Sequence, residues 1–380
     1  MKVTVSVHGR FHAFELARGL HHRGMLECLQ TTYPAFVTRR VLGSDVPLRT
    51  APWLEAWRRL YPKLKLGPQP DLAIARAFGR FAARSIRGSR ADLVVGWSSA
   101  TLEVIAPAHD AGMKVIIERG STHIVYQTEV LQNEYRQRGK EFTVTDSGII
   151  DRELQEYEMA DAISVPSSYA ARTFIDRGVA EKKLIVTPLG VDPDRFKPSG
   201  VEYANAVPRI VFVGSLGIRK GTHHLLRAFS CLKEKAELHL IGPVEANFAS
   251  DLADLPLDNV FIRGVASGEA LLEHYARADI FCLPSLEEGF GMVALEAMAC
   301  GLPTVLSNVT GAADVITPGE DGLIVPTGDE NSLAEALEEL INDIGKRRDM
   351  GARARAKVLA GYRWDDYIGR ALSAYQRILA

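Results

Sequence analysis

The sequence predicts an α/β chain built as two wound domains, and three observations carry that expectation. The chain opens as strand, glycine turn, helix: Lys2 to Val7 is apolar and β-branched, His8-Gly9 turns it, and Phe14 to Arg23 reads as a helix. The same order restarts at Arg209 to Gly214, with a glycine-containing loop and a helix from His223. At 380 residues the chain is too long for one comfortable core and long enough for two.

Composition excludes several classes. Hydrophobic residues make up 47% and charged residues 24%, the balance of an ordinary globular protein. No apolar run reaches the roughly 18–20 residues that span a bilayer. The first residues enter a strand at once, so no signal peptide is expected and the expected location is cytoplasmic. Cys28, Cys231, Cys282 and Cys300 form no C-x-x-C and read as core thiols of a reducing compartment. The formal net charge of -2 is unevenly spread: residues 1–200 hold 28 Lys+Arg against 22 Asp+Glu, and the remainder 17 against 25. That asymmetry points to an anionic partner for the first half.

In chain order, Gly9 and His12 lie in the first turn. His12 is either a plain turn histidine or a cleft residue, since ligands of open α/β sheets bind at the carboxyl ends of strands. Residues 36–90 carry 12 Lys+Arg against 3 Asp+Glu. Within them Trp53, Trp57, Leu60 and Tyr61 interleave with Arg58, Arg59, Lys63 and Lys65. That pattern suits an anionic membrane surface, or equally a solvated helix whose aromatics pack inward. No nucleic-acid motif accompanies the charge, so no nucleic-acid partner is expected. Asp92 to Gly96 and Lys114 to Ile117 are strands, ending in Trp97-Ser98-Ser99 and in Glu118 to His123. Gln127 to Lys140 is polar and helical. Ser167 or Ser168 caps the next helix, and Gly190, Pro193 and Pro198 mark a linker. Asp192-Pro193-Asp194 is a nominal D-x-D in that linker and is discounted as a metal site.

In the second half, Arg219 and Lys220 follow a strand and a glycine-containing turn, where a fork and a point charge can grip a diphosphate. The loop is no Walker A motif. Glu237 to Gly242, Asn259 to Gly264 and Ile280 to Leu283 are strands. Glu287 and Glu288 and the turn Gly289-Phe290-Gly291 come next, and then a helix from Met292 to Cys300, ended by Gly301 and Pro303. A helix that starts at a glycine turn offers free N–H groups and partial positive charge to a phosphate. Glu288 and Glu296 are placed to face one cleft, and carboxylates accept from sugar hydroxyls.

The string Glu288-GFGMVAL-Glu296, with EAMACGLPTV, closely resembles the E-x7-E signature of retaining GT-B glycosyltransferases of family 4. The resemblance covers almost all of 155–380 and is thin over 1–150. It implies a GT-B fold: two Rossmann-like domains facing across a cleft, over 1–195 and 205–363, with 364–380 crossing back to the first. It implies transfer of a hexose from a nucleoside-diphosphate sugar to a saccharide or lipid-linked acceptor with retention, in polysaccharide or glycolipid synthesis. Arg219, Lys220 and the amides around Gly291 to Val293 would hold the diphosphate, and Gly214, Ser215, Gly289, Phe290 and Met292 would also bind the donor, without a metal or other cofactor. The family often has Arg where Ser215 stands, and Glu where Asp314 stands. Arg219 is taken to replace that Arg. Glu288 would bind the hexose, Glu296 the ribose, and Gly264 and Val265 the base. On the acceptor side the family places a histidine or its equivalent near Arg119 and His123. A glycosidase also needs two carboxylates but has no use for a phosphate cradle. A non-catalytic nucleotide-sugar binder and a GT-B epimerase or phosphorylase remain the alternatives.

Overall fold

The computed structural model of the chain describes residues 1–61, 70–140, 145–200 and 207–380. Lys63 and Lys65 lie outside the described residues.

The first domain is a seven-stranded sheet of β1 (Val3–Val7), β2 (Leu26–Thr31), β3 (Leu48–Thr50), β4 (Leu93–Trp97), β5 (Lys114–Glu118), β6 (Ala162–Val165) and β7 (Leu184–Val186), ordered β3-β2-β1-β4-β5-β6-β7. Every strand pair is parallel. Its helices are α1 (Ala13–His22), α2 (Ala35–Leu42), α3 (Pro52–Leu60), α4 (Asp71–Ile86), α5 (Leu102–Asp110), α6 (Ile124–Gln137), α7 (Ser147–Met159) and α8 (Ser168–Ile175). The central strands are apolar on both faces because helices cover both: β1 and β4 are buried throughout.

The second domain repeats the plan with six parallel strands, β8 (Arg209–Val213), β9 (Glu237–Ile241), β10 (Val260–Gly264), β11 (Ile280–Leu283), β12 (Thr304–Ser307) and β13 (Leu323–Val325), ordered β10-β9-β8-β11-β12-β13. Around them lie α9 (Thr222–Phe229), α10 (Ala249–Ala253), α11 (Glu269–Ala276), α12 (Met292–Ala299), α13 (Glu330–Asn342) and α14 (Ile344–Gly361). Helix α15 (Trp364–Leu379) leaves this domain and packs on α1. Ile368 fills the space over Gly19, where a Cβ would sit 2.5 Å from Ile368 Cγ1.

Each sheet reverses its strand order once, between β1 and β4 and between β8 and β11. The loops leaving those strands splay apart and open a crevice at their carboxyl ends. The two crevices face each other, and the linker with α15 keeps them so.

Two local expectations change. Helix α6 starts at Ile124, not at Gln127: the apolar Ile124-Val125-Tyr126 form its first turn, and His123 caps it. Of the four free cysteines only Cys282 and Cys300 are buried; Cys28 is half-buried and Cys231 exposed. No helix of the described residues is long and apolar enough to cross a membrane.

Candidate active site

The loop after β8 and the loop after β11 are stitched together. Leu286 N–H donates to Arg219 O at 2.8 Å. Gly221 has φ +66°, and a Cβ there would lie 1.9 Å from Pro284 O, so only glycine permits this approach. The stitching brings Lys220 Nζ onto Glu288 Oε2 and Arg219 Nη1 to 3.6 Å from the same oxygen. Beside them Gly291, with φ +88°, caps α12. The first N–H groups of a helix have no intrahelical acceptor and carry partial positive charge. A cavity of about 550 Å³ joins the two domains here. Its walls include Arg219, Glu288, Gly291 and Met292 from the second domain, and His12, Trp97, Ser99 and Arg119 from the first.

Glu287 and Glu288 part company. Glu288 turns into the cavity, whereas Glu287 is fully buried and reaches across to the first domain. Glu287 accepts from Ser121 Oγ (2.8 Å), Thr122 Oγ1 (2.7 Å), Gln127 Nε2 (2.8 Å) and Arg219 Nη1 (3.4 Å). Burial alone would raise its pKa, yet Arg219 and the hydrogen bonds from Thr122, Gln127 and Ser121 hold it below the ordinary carboxylate value. Next to it Gly289 is pressed so closely on the first domain that a Cβ would sit 2.3 Å from Ser121 Cα. Ser167, the N-cap of α8, donates to Gly289 O at 2.7 Å, and Ser168 Oγ donates to Asp314 Oδ1 at 2.8 Å. The E-x7-E turn is therefore also the hinge contact between domains. The sequence marks Glu287 as one of two adjacent carboxylates but gives it no role of its own.

The remaining expected donor residues are spread around this centre. Phe290 lines the cavity floor, and Val293 O accepts from Tyr275 Oη at 3.4 Å. Glu296 does not line the cavity with Glu288: it turns to α11 and accepts from Tyr275 Oη at 3.0 Å. Burial raises its pKa to about 7 against the opposing pull of Tyr275 and Arg195. Its proton is thus held more tightly in the folded chain than at the unfolded value of 4.5. The stability this contributes is complete below 4.5 and lost as pH rises through about 7. A ribose-binding carboxylate needs the opposite, ionised form. Nucleoside-diphosphate affinity is therefore expected to rise as pH climbs through 7, by roughly tenfold, the difference between neutral and charged hydrogen bonds. Glu296→Gln should flatten that rise; calorimetric titration of UDP and GDP between pH 6 and 8 checks it, and a flat wild-type curve would remove Glu296 from the site.

Ser215 Oγ donates to Glu245 Oε1 at 2.9 Å, and Gly214 O backs against Gly242, 1.8 Å from where a Cβ on Gly242 would sit. Gly264 and the exposed Val265 end β10 outside the cavity lining, with Gly264 O accepting from Gly242 N–H at 2.8 Å.

On the first-domain side, Arg119 lines the cavity, fixed by Thr122 O (3.0 Å), Gln127 Oε1 (3.0 Å) and Glu153 Oε1 (3.2 Å). His12 lines it too, and Gly9 lies beneath the Phe11 ring. His123 does not reach it. Its Nδ1 accepts from Val125 N–H as the α6 cap, and its ring packs between Tyr157 and Phe174. Burial, with Arg177 and Arg119, lowers its pKa to about 4. The expectation of an acceptor-side role for His123 is thereby corrected: the turn Gly120 to Thr122 carries the chain past the cleft before His123 is reached.

Two further groups bear on metals. Asp192 Oδ1 accepts from Asp194 N–H at 3.0 Å and Arg195 N–H at 3.2 Å, a local turn. Glu134, His223 and His224 place ligand atoms within 4.8 Å of one another, at a larger cavity of about 780 Å³ behind α6 and α9. There Arg138 already holds Glu134 at 2.9 Å, and Glu330 holds His224 at 2.9 Å. That cavity is lined by Arg138 and Arg227 but by neither Arg219 nor the Gly291 cap of α12, which line the smaller one.

Comparison with known proteins gives the same picture. Residues 201–357 match the family described as Glycosyl transferases group 1. An MMP α-(1→4)-mannosyltransferase of Mycolicibacterium hassiacum is 30% identical over 230 residues, 59% of this chain and 55% of that protein. A GDP-mannose-dependent monoacylated α-(1-6)-phosphatidylinositol monomannoside mannosyltransferase of Corynebacterium glutamicum is 31% identical over 228 residues, 54% of this chain and 59% of that protein. The chain thus spans less than two thirds of these curated relatives. The crystal structure of Anabaena HepE in complex with UDP superposes with a TM-score of 0.71 at 14% identity, over 99% of this chain and 100% of that one. The match to glycosyl transferases group 1 falls on the second domain, and the fold of the whole chain is GT-B.

Proposed function

We propose that the protein transfers a hexose from a nucleoside-diphosphate sugar to a lipid-linked or membrane-borne acceptor, with retention, in glycolipid or polysaccharide synthesis. The observation that carries this reading is Arg219 and Glu288 lining a cavity walled by both domains beside the Gly291 cap of α12, with Lys220 paired to Glu288. Charge develops on the leaving diphosphate, and preorganised cations and N–H groups stabilise it without reorganising. Relatives named as mannosyltransferases, one of them dependent on GDP-mannose, support a nucleotide-sugar donor. Retention rests on the E-x7-E resemblance. The test is release of UDP or GDP from UDP-glucose and GDP-mannose with and without acceptor, and the anomeric configuration of the product by NMR. Turnover that ignores the acceptor would favour hydrolysis, and an inverted product would remove retention.

The reading assigns the work of a divalent metal to Arg219, Lys220 and the helix tip. Activity should therefore survive EDTA. Loss on chelation, restored by manganese or magnesium, would overturn a metal-free site.

The acceptor surface follows from α3 and α4. Trp53, Ala56, Trp57 and Leu60 are all exposed and fall at i, i+3, i+4 and i+7, one apolar stripe turned to solvent. Trp53 meets Phe81 of α4 edge-on, with ring centroids 5.8 Å apart. Along α4 run Arg76, Arg80 and Arg84, exposed and in no ion pair among the described residues. Arg58 and Arg59, read as facing either an anionic membrane or solvent, both pair with the buried Glu55 at 2.6 Å. A tryptophan stripe beside an arginine row suits an anionic leaflet, where each cation contributes about 1 kcal/mol. The protein should sediment with phosphatidylglycerol vesicles at low salt, and less so as salt screens the charge. Arg76→Gln, Arg80→Gln and Arg84→Gln together should weaken binding roughly a hundredfold. Wild-type protein left in the supernatant at low salt would sink the membrane reading.

A further inference from the structure

We propose that Glu134, His223 and His224 form a zinc site that ties the two domains together away from the cleft. Glu134 belongs to α6 of the first domain, and the two histidines to the first turn of α9 in the second. Their ligand atoms lie within 4.8 Å of one another. The site goes beyond the transfer reading and does not depend on it.

His223 is the residue that points to a ligand. Its side chain is fully buried, and neither ring nitrogen has a hydrogen-bond partner among the described residues. A buried polar group left unmade is costly, and a metal bond offsets that cost. His223 Nε2 stands 3.4 Å from Glu134 Oε1. That is long for a hydrogen bond. It is also the separation of two ligands on a tetrahedral zinc, whose bonds of roughly 2.0–2.1 Å place them about 3.4 Å apart. The His223 and His224 rings have centroids 3.9 Å apart, so two neighbours that a helix splays both bring a nitrogen toward Glu134.

The other two side chains are already steadied from behind, as metal ligands are. Glu330 Oε1 lies 2.9 Å from His224 Nδ1, which keeps the proton on that nitrogen and leaves Nε2 to coordinate. Arg138 holds Glu134 through Oε1, at 2.9 and 3.1 Å. Oε2 has no partner among the described residues, so the carboxylate can turn either oxygen to a metal. Two imidazoles and a carboxylate are a donor set for zinc; magnesium and calcium take oxygens. Three protein ligands leave a fourth position for water, and the cavity of about 780 Å³ supplies it.

The surrounding charge accepts a dication. Asp251 and Asp254 line the same cavity, and Asp251 Oδ2 is buried without a partner among the described residues. Arg138 and Arg227 line it too, but each is drawn onto a glutamate, Glu134 and Glu330 respectively. The zinc adds to a seam that α6 already makes with the second domain. Lys140 pairs with Asp251, and Asn247 Nδ2 donates to Tyr135 Oη. This cavity shares no lining residue with that of Arg219 and Glu288, so the metal holds the domains without touching the donor.

The test titrates the untagged full chain, stripped with EDTA, with zinc chloride and in parallel with magnesium chloride. Calorimetry should find one zinc per chain and no magnesium binding. The melting temperature should rise by roughly 5–10 °C at zinc a hundredfold above its dissociation constant. Glu134→Gln and His224→Ala should each weaken zinc at least tenfold, and Glu330→Gln about tenfold to a hundredfold through His224. These three sides of the site carry the test, because His223→Ala would also open a hole in the core. Cys231→Ser, which removes the exposed thiol, should leave binding unchanged. Zinc should slow amide exchange in both α6 and α9 of the wild type. Absence of stoichiometric zinc, undiminished affinity in folded Glu134→Gln and His224→Ala, or loss of binding in Cys231→Ser overturns the site. Slowed exchange in α9 alone overturns the tie between domains. A chain that binds zinc as expected but releases no UDP or GDP from nucleotide sugars upholds the site and overturns only the transfer reading.

Discussion

Lys220→Ala should lower kcat/KM for the nucleotide sugar by about a hundredfold to a thousandfold, the loss typical when one preorganised donor is removed from a developing anion. The charge count in the cleft explains the size. Glu287 and Glu288 bring two carboxylates, and Arg219 and Lys220 offset them. A diphosphate then enters a site that is neutral apart from the positive end of α12. Without Lys220 the same diphosphate meets two carboxylates and one guanidinium, which is itself drawn toward Glu287. Lys220 is only 11% exposed, so the missing charge is not made good by solvent. Lys220→Arg should restore part of the activity, because a planar fork does not copy a compact ammonium. Initial rates of nucleoside-diphosphate release give the answer. A Lys220→Ala protein within about threefold of wild type would remove the diphosphate from this place, since even one charged hydrogen bond contributes about 1.5–3 kcal/mol.

The second domain was more legible in the sequence than the first, for a physical reason. The proposed phosphate cradle comes from two short strings, Arg219-Lys220-Gly221 and Glu288 to Met292. Each lies in a loop of eight residues that leads from a strand through a glycine into a helix start. Local backbone geometry fixes such strings, so spacing alone reveals them. In the first domain the cleft wall is assembled from loops more than a hundred residues apart, and His12 meets Glu118 only through sheet order. Spacing cannot say which residue of Glu118 to His123 faces inward: of the two that the resemblance offers for the acceptor side, Arg119 lines the cavity and His123 caps α6. Arg58 and Arg59 are a different case. Glu55 stands three and four residues before them, the helical spacing for ion pairs, so their capture was readable in advance. The exposed stripe of α3 was not, because only the packed domain decides which face of an amphipathic helix is turned outward.

Glu287→Ala should loosen the two domains. The carboxylate is fully buried and gathers Ser121, Thr122 and Gln127 from one domain and Arg219 from the other. Removing it strands those donors in a closed contact. Breaking a buried pair from one side costs about 3–5 kcal/mol, and the lower end applies here because the Arg219 side chain is 32% exposed. At about 2–4 °C per kcal/mol for domains of this size, the melting temperature should fall by roughly 6–12 °C. Glu287→Gln keeps the shape and an acceptor oxygen while losing the charge, so its fall should be smaller. Acid should act in the same direction as the mutation. The folded pKa of Glu287 is held below its unfolded value of 4.5. Its stabilisation is therefore present above 4.5 and is lost as pH falls through the folded value. In Glu287→Ala that component of the acid sensitivity should be gone. Solution scattering should show a larger radius of gyration for Glu287→Ala than for wild type, since Gly289 no longer has a fixed neighbour to press the domains together. An unchanged melting temperature and an unchanged radius would mean that Ser167, Ser168 and α15 hold the cleft closed on their own, and that Glu287 serves only to orient Arg219.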